Sequence, residues 1–235
     1  MVKQKGLLIT FEGIDGSGKN TQAKLLGQKL KQKGYKVKII DFPQHGEPSS
    51  YFVDKFLRGG YGGTKKFNPY RASIFFACDR YDASFRLRKW LSQGYILISD
   101  RYVGSNIGFQ GGRIINRAKR KKFVQWLLDL EHNIFQIPKP NITFLLNVPV
   151  NISQKLNNYI NDPKKIKRKI SYLGALKKDD TEKDLSYQEL ARRAYLETVK
   201  VHPRMFKVIN CYQDKQLLTP IELHTIIWNK IKQVL

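Results

Sequence analysis

The sequence has few features that would mark other classes of protein. It holds only two cysteines, Cys78 and Cys211, among 235 residues. Neither belongs to a C-x-x-C pair or to a Cys/His cluster with metal-ligand spacing, so nothing indicates a disulfide scaffold or a zinc site. We expect both cysteines to be buried, reduced thiols, because free cysteine is among the most buried residue types.

Long apolar runs and a secretory leader are also missing from the sequence. No run approaches 18 apolar residues, the length that would predict a membrane-spanning helix. Residues 1–6 lead directly into an apolar strand, without the long apolar core and small-residue cleavage site of a signal peptide. We therefore expect a cytosolic protein that does not associate with membranes.

Negative charge is scarce. The chain has 19 Asp and Glu against 43 Lys and Arg, which gives a formal net charge of +24. Such an excess favours polyanionic partners, either nucleic acid or the phosphates of nucleotides. Lys, Asn and Ile are frequent throughout, so a general compositional bias is a third explanation. We expect no polynucleotide partner, although charge alone does not decide the question.

Apolar segments alternate between strand and helix patterns along the chain. With 41% hydrophobic residues, we expect one domain over residues 1–235 with a substantial core. Strands are predicted at residues 7–12, 36–42, 95–99, 142–148 and 206–210. Helices are predicted after residue 19, over residues 69–93, 119–135 and 185–201, and at the end, where Leu223, Ile227, Ile231 and Val234 share one face. This order predicts a three-layer α/β/α fold around a five-stranded parallel sheet.

The strongest motif lies between the first strand and the first helix. It is a phosphate-binding P-loop, formed by Gly13, Ile14, Asp15, Gly16, Ser17, Gly18, Lys19, Asn20 and Thr21. Glycines let the backbone turn tightly and aim N–H groups at phosphate oxygens, and the helix N-terminus adds partial positive charge. Lys19 is expected to reach the β- and γ-phosphates of a bound nucleotide. The position that usually supplies a Mg²⁺-binding hydroxyl is Asn20, so metal ligation from the loop itself is in doubt.

A second motif, Asp100-Arg101-Tyr102, follows the third predicted strand. In a parallel sheet this strand end shares the carboxyl edge with the P-loop. Asp100 would then lie near Mg²⁺ or its bound waters, and Arg101 would reach phosphate. The N-K-x-D motif by which GTPases read their base is absent, because Asn229-Lys230-Ile231-Lys232 breaks it at the fourth place.

In combination, the motifs resemble the thymidylate kinase family, and the resemblance covers nearly the whole chain in order. The matching segments are residues 11–19, Phe42-Pro43, residues 76–80, residues 100–102, Ser105-Asn106, Phe109-Gln110, residues 138–140 and residues 194–197. The resemblance implies phosphorylation of dTMP by ATP with Mg²⁺. The alternatives are a deoxynucleoside kinase or another nucleoside monophosphate kinase, and, in another class, a P-loop protein that binds nucleic acid.

The same resemblance implies roles for residues of the acceptor site. Asp15 would contact the 3′-hydroxyl of the sugar, and Arg101 would clamp the acceptor phosphate. Phe76 would stack on thymine, and Arg80, one helical turn later, would contact its carbonyl or the phosphate. The remaining residues that the resemblance places around dTMP are Phe42, Pro43, Ser105, Asn106, Phe109 and Gln110.

Gly16 leaves the P-loop without the arginine that some family members place there, which implies that a lid supplies it. The candidate lid is a mobile basic segment over approximately residues 160–182, and its only arginine is Arg168. The family also implies a homodimer, to which Trp126 and Leu127 would contribute unless they pack in the core.

Three residues depart from the family pattern. His45 stands where relatives often carry Tyr or Arg near the acceptor phosphate, and Asn147 replaces a frequent Asp. Phe109 stands where Tyr is frequent beside the sugar, and loss of that hydroxyl would loosen discrimination between deoxyribose and ribose.

Overall fold

A five-stranded parallel sheet forms the centre of the molecule. The computed structural model describes residues 6–64, 66–158 and 184–235. The strands are β1 (Leu7–Glu12), β2 (Val37–Asp41), β3 (Ile96–Asp100), β4 (Ile142–Asn147) and β5 (Lys207–Asn210). They lie in the order β2-β3-β1-β4-β5, and every neighbouring pair is parallel.

Helices connect the strands and cover the sheet. They are α1 (Lys19–Gln32), α2 (Tyr51–Leu57), α3 (Pro69–Ser92), α4 (Val103–Ser105), α5 (Arg117–Asp129), α6 (Val150–Asn158), α7 (Leu185–Val201) and α8 (Pro220–Ile231). A π-helical turn, Asn106–Gln110, continues α4, and a second, Leu130–Ile134, continues α5. A short antiparallel hairpin of β6 (Tyr212–Gln213) and β7 (Gln216–Leu217) follows β5.

The three central strands, β1, β3 and β4, are buried on both faces, as expected for parallel strands between two helical layers, whereas the edge strands β2 and β5 are partly exposed. Alternate residues of β1 point to opposite sides, so Ile9 packs in one core cluster and Leu8 in the other. The first cluster joins the sheet to α1 and α8, and the second joins it to α3, α5 and α7. The predicted three-layer P-loop α/β fold is therefore confirmed.

Helix boundaries follow local capping chemistry. The side chain of Asn68 accepts hydrogen bonds from the backbone N–H groups of Tyr70 and Arg71 at the start of α3. Thr219 and Glu222 form a capping box at the start of α8. These caps fix the first turns of two helices that pack on opposite faces of the sheet.

Several local predictions were wrong or incomplete. Cys78 is exposed, because it lies on the face of α3 that carries the exposed residues Ile74, Tyr81 and Phe85. Val234 is also exposed, since α8 ends at Ile231. Leu127 is fully buried in the core, whereas Trp126 packs against its edge. Helix α2, the hairpin and the π-helical turn Asn106–Gln110 had no clear sequence signal, whereas the second π-helical turn ends the helix predicted over residues 119–135.

The candidate lid and Arg168 lie outside the described residues. Within the described ranges, no helix is both long enough and apolar enough to cross a membrane.

Candidate active site

The P-loop connects the end of β1 to the start of α1. Gly13, Gly16 and Gly18 have φ angles of 141°, 75° and 89°, a region that side chains rarely tolerate. A Cβ atom at Gly13 would also lie 2.7 Å from the carbonyl oxygen of Leu146. The glycines therefore give the loop its curvature and bring it close to the neighbouring strand.

Lys19 is folded back across this loop. Its Nζ atom donates hydrogen bonds to the carbonyl oxygen of Ile14 at 2.7 Å and to the hydroxyl oxygen of Ser17 at 3.4 Å. Burial, with a contribution from the Arg101 charge, lowers the pKa of Lys19 to about 8. The ammonium group of Lys19 is thus held inside the curved P-loop, where the phosphates of a nucleotide would bind.

Arg101 lies beside the P-loop because parallel pairing aligns Phe11 of β1 with Asp100 of β3. Its guanidinium pairs with the Asp15 carboxylate and donates to the Gly13 carbonyl and Ser105 hydroxyl oxygens, each at 3.3 Å. Burial acts to lower the pKa of Arg101, but the charges of Asp15, Tyr195, Asp100 and Glu12 together raise the pKa above its usual value.

A cleft of about 130 Å³ opens on the far side of Arg101. All ten residues that the sequence assigns to the acceptor line it: Asp15, Phe42, Pro43, Phe76, Arg80, Arg101, Ser105, Asn106, Phe109 and Gln110. Further lining residues include His45, Phe56 and Tyr187. A cleft with aromatic walls and several cationic groups has the chemistry to hold a planar base and a phosphate.

Arg80 is held in the wall of this cleft by a carboxylate that the sequence did not identify. Its Nε and one terminal nitrogen donate to the two oxygens of Glu131, both at 2.6 Å, and the other terminal nitrogen donates to the Tyr102 carbonyl at 3.4 Å. Both side chains are almost completely buried. Glu131 belongs to the π-helical turn after α5, more than fifty residues away in sequence.

His45 is oriented in a similar way. Its Nδ1 atom lies 2.5 Å from an Asp54 carboxylate oxygen, and the Ser50 hydroxyl donates to the other oxygen at 2.9 Å. Asp54 belongs to α2, the helix without a clear sequence signal. Each of the three cation-forming side chains in the wall therefore has its own carboxylate partner: Asp15 for Arg101, Glu131 for Arg80 and Asp54 for His45.

Comparison with known proteins decides the family. A family model described as thymidylate kinase matches residues 11–219 of the chain.

The chain belongs to the thymidylate kinase family.

Individual relatives agree with this assignment. The chain is 33% identical over 212 residues to a probable thymidylate kinase of Thermococcus kodakarensis, covering 88% of this chain and 91% of the relative. It is 32% identical over 206 residues to a thymidylate kinase of Bartonella henselae, covering 87% of each. The solved thymidylate kinase of Candida albicans has the same fold, with a TM-score of 0.70 at 22% identity, over 97% of this chain and 92% of that one.

The activity of this thymidylate kinase is phosphorylation of dTMP. The family also implies ATP as the phosphate donor, and the glycine cradle with buried Lys19 fits that substrate. Among the described residues, no three or more His, Cys, Asp or Glu side chains cluster as metal ligands. Mg²⁺ in phosphoryl-transfer enzymes needs only one or two carboxylates beside phosphate oxygens, so Asp100 and its surroundings fit it.

Two further polar residues near the site were not among the site residues predicted from the sequence. Gln188 of α7 donates from its side-chain amide to the Asp15 carboxylate at 2.7 Å and accepts from the Asp15 backbone N–H at 3.1 Å. Glu12, which belongs to the matching segment of residues 11–19, is completely buried. The contacts between Gln188 and Asp15 join segments that are 173 residues apart in the chain.

Proposed function

We propose that this thymidylate kinase transfers the γ-phosphoryl group of ATP to the phosphate of dTMP, with Mg²⁺ bound beside Asp100. The observation that carries this proposal is the ion pair between Arg101 and Asp15. It joins the P-loop to the acceptor cleft, so one arginine borders both phosphate sites. Phosphoryl transfer depends mainly on aligning two phosphates and stabilising their charge, which this arrangement suits.

On the donor side, the P-loop backbone and Lys19 bind the nucleotide phosphates. Lys19 would leave its contact with the Ile14 carbonyl for a phosphate oxygen, since a phosphate is a stronger acceptor for an ammonium group. Mg²⁺, when bound, would neutralise charge on the donor phosphates. Because the loop has Asn20 in place of a hydroxyl residue, we propose that Asp100 is the main protein group facing the metal.

On the acceptor side, Phe76 provides a ring for stacking the base, and Arg80 provides a fixed donor near it. Phe42 and Pro43, directly after β2, line the same cleft. Asp15 has the position to accept a hydrogen bond from the sugar, in agreement with the resemblance. Ser105, Asn106, Phe109 and Gln110, which line the same cleft, complete the proposed dTMP site.

The test is ADP release with ATP and Mg²⁺ over a panel of acceptors: dTMP, dUMP, dCMP, dGMP, thymidine and UMP. We expect turnover on dTMP above all others, lost in Lys19→Ala and strongly reduced in Arg80→Ala. Turnover on thymidine would instead indicate a deoxynucleoside kinase. Omission of Mg²⁺ with EDTA is expected to abolish activity, and full activity without it would contradict the metal proposal.

We also propose a homodimer, as the family implies, but through α3 and not through Trp126 and Leu127. Four apolar residues at helical spacing, Ile74, Cys78, Tyr81 and Phe85, are exposed on one face of α3. Such a stripe usually marks an interface. Light scattering should give twice the 27.4 kDa chain mass, and Phe85→Glu should give a monomer. A wild-type monomer at micromolar concentration would refute the proposal. A cytosolic location stays the prediction made from the sequence.

A further inference from the structure

Glu12 is a completely buried carboxylate at the end of β1, directly before the P-loop. It accepts three hydrogen bonds: from the Tyr102 backbone N–H at 2.7 Å, from the Ser105 hydroxyl at 2.7 Å and from the Tyr195 hydroxyl at 2.9 Å. These donors come from the end of β3, from α4 and from α7. One carboxylate therefore joins three elements around the active site.

Two glycines, Gly104 and Gly108, leave the space that the Glu12 carboxylate and its partner Tyr195 occupy. A Cβ atom at Gly104 would lie 2.8 Å from the Glu12 carboxyl group. A Cβ atom at Gly108 would lie 2.2 Å from the ring of Tyr195, whose hydroxyl donates to that carboxyl group. The segment of α4 and its π-helical turn thus packs directly against the Glu12–Tyr195 pair.

Arg101, the residue before Tyr102, has a left-handed backbone conformation with φ of 69°. This conformation is uncommon for a residue with a side chain and persists only where neighbouring contacts enforce it. Here the Arg101 N–H donates to the Phe11 carbonyl at 2.9 Å, and the Ser99 hydroxyl donates to the Arg101 carbonyl at 2.6 Å. The bond from Tyr102 to Glu12 fixes the next peptide.

We propose that Glu12 is a positioning residue for phosphoryl transfer: its carboxylate holds the Arg101–Ser105 segment so that the guanidinium of Arg101 points between the donor and acceptor phosphates. The inference rests on the role proposed above for Arg101. Ser105 connects the two directly, since its hydroxyl donates to Glu12 and accepts from Arg101. Glu12 itself is completely buried and does not line the cleft.

An ionised carboxylate suits this position because it offers about four acceptor sites and no donor. Burial raises the pKa of Glu12, while the Ser105 hydrogen bond and the Arg101 charge act to lower it. A glutamine of the same size has one acceptor oxygen and a donating amide. Glu12→Gln therefore keeps the volume, removes the negative charge near Arg101, and puts a donating amide where one carboxylate oxygen accepted from the Ser105 and Tyr195 hydroxyls.

The deciding experiment is a double-mutant cycle of Glu12→Gln and Arg101→Ala in the full chain. We expect Glu12→Gln to lower kcat for dTMP on the order of 100-fold, the loss typical of a displaced reacting group, while KM for ATP changes by less than about 3-fold. In the Arg101→Ala background the same substitution should lower kcat by less than about 3-fold, because the residue that it positions is gone. Equal losses in both backgrounds would overturn the inference.

Two controls distinguish a positioning role of Glu12 from a failure of the role proposed for Arg101 and from a general loss of stability. If Arg101→Ala alone keeps the wild-type kcat, the proposed role of Arg101 is wrong. If Arg101→Ala lowers kcat, and the double variant loses the product of the two single kcat losses, only the proposed role of Glu12 is wrong. Thr10→Val removes another buried hydrogen bond of β1, the 2.9 Å contact to Thr143, and should lower stability without lowering kcat. Should Glu12→Gln fail to fold, Tyr195→Phe removes a single donor and should show the same dependence on Arg101 at a smaller size.

Discussion

The donor loop and the acceptor cleft of this enzyme are built in different ways. The donor loop is a continuous segment, residues 13–21, and its groups are backbone N–H groups, glycines and one lysine. The acceptor cleft is lined by residues of the P-loop, the segments after β2 and β3, α2, α3, α4 with its π-helical turn, and α7. Its two arginines, Arg80 and Arg101, are held by carboxylates that lie 51 and 86 residues away in the chain.

This difference teaches that phosphate binding and acceptor recognition depend on different levels of structure. Backbone groups of a short loop need only the right φ angles, which glycine supplies locally. A buried guanidinium needs a partner, because an unpaired charge in the interior is costly. We therefore expect substitutions far away in sequence to affect the acceptor site. The donor loop should be affected mainly by substitutions within the loop.

The largest effect is expected in the donor loop. Lys19→Ala removes the cation that stabilises charge on the transferred group and should lower kcat on the order of 1,000-fold. Lys24→Ala, an exposed residue on the same helix, is the matched control and should leave kcat unchanged. Steady-state kinetics with dTMP and ATP gives both values, and equal losses would mean that general charge matters and not the position of Lys19.

The acceptor cleft should respond to its remote carboxylate. Glu131→Ala leaves the Arg80 charge buried without its partner, which should cost about 3–5 kcal/mol of stability. Displacement of Arg80 should raise KM for dTMP by about 10- to 100-fold, the equivalent of a hydrogen bond to a charged group. KM for ATP should stay near its wild-type value.

Chemical denaturation and the two KM values test this prediction. Glu197→Ala, which breaks the partly exposed pair with Arg120, is the control and should cost less stability without changing KM for dTMP. A parallel rise of both KM values in Glu131→Ala would show that the cleft and the donor loop are not independent.

A pH profile sharpens the comparison further. Because the pKa of Lys19 is lowered by burial to about 8, the free enzyme carries this charge below pH 8 and loses it above. The value of kcat/KM for ATP, which reports on the free enzyme, should fall by up to about tenfold per pH unit above 8. In Lys19→Arg, whose charge persists, the inflection near pH 8 should disappear; if it remains, another group is titrating.

The smallest effect is expected for the aromatic wall. Phe76→Leu keeps an apolar side chain but removes the ring that would stack on the base, worth about 0.5–1.5 kcal/mol. KM for dTMP should rise by about 2- to 10-fold, with kcat nearly unchanged. Phe85→Leu, on the exposed face of the same helix, should leave KM unchanged, and an equal rise in both variants would contradict a stacking role for Phe76.

Local sequence was sufficient for the parts of the molecule that local chemistry controls. The glycine spacing predicted the loop, and the alternation of strand and helix predicted the five parallel strands, because burial on both faces leaves continuous apolar runs. The ten acceptor residues were identified through the resemblance to the family, and the structure brings them to one cleft. Helix α2, by contrast, carries no separate signal, yet it supplies Asp54 to His45.

By itself, then, the sequence determined the fold, the phosphate loop and the family, since each depends on residue types at fixed short spacing. Only the tertiary structure decided which carboxylate holds which cation: Glu131 for Arg80, and Asp15, which also binds Gln188, for Arg101. It also decided that Glu12 accepts from the backbone N–H of Tyr102, the residue after Arg101. The physical reason is that a buried charge needs a partner of opposite charge close to it in space, wherever that partner lies in the sequence. Its partner comes from whichever element the packing of the two helical layers brings within hydrogen-bond distance.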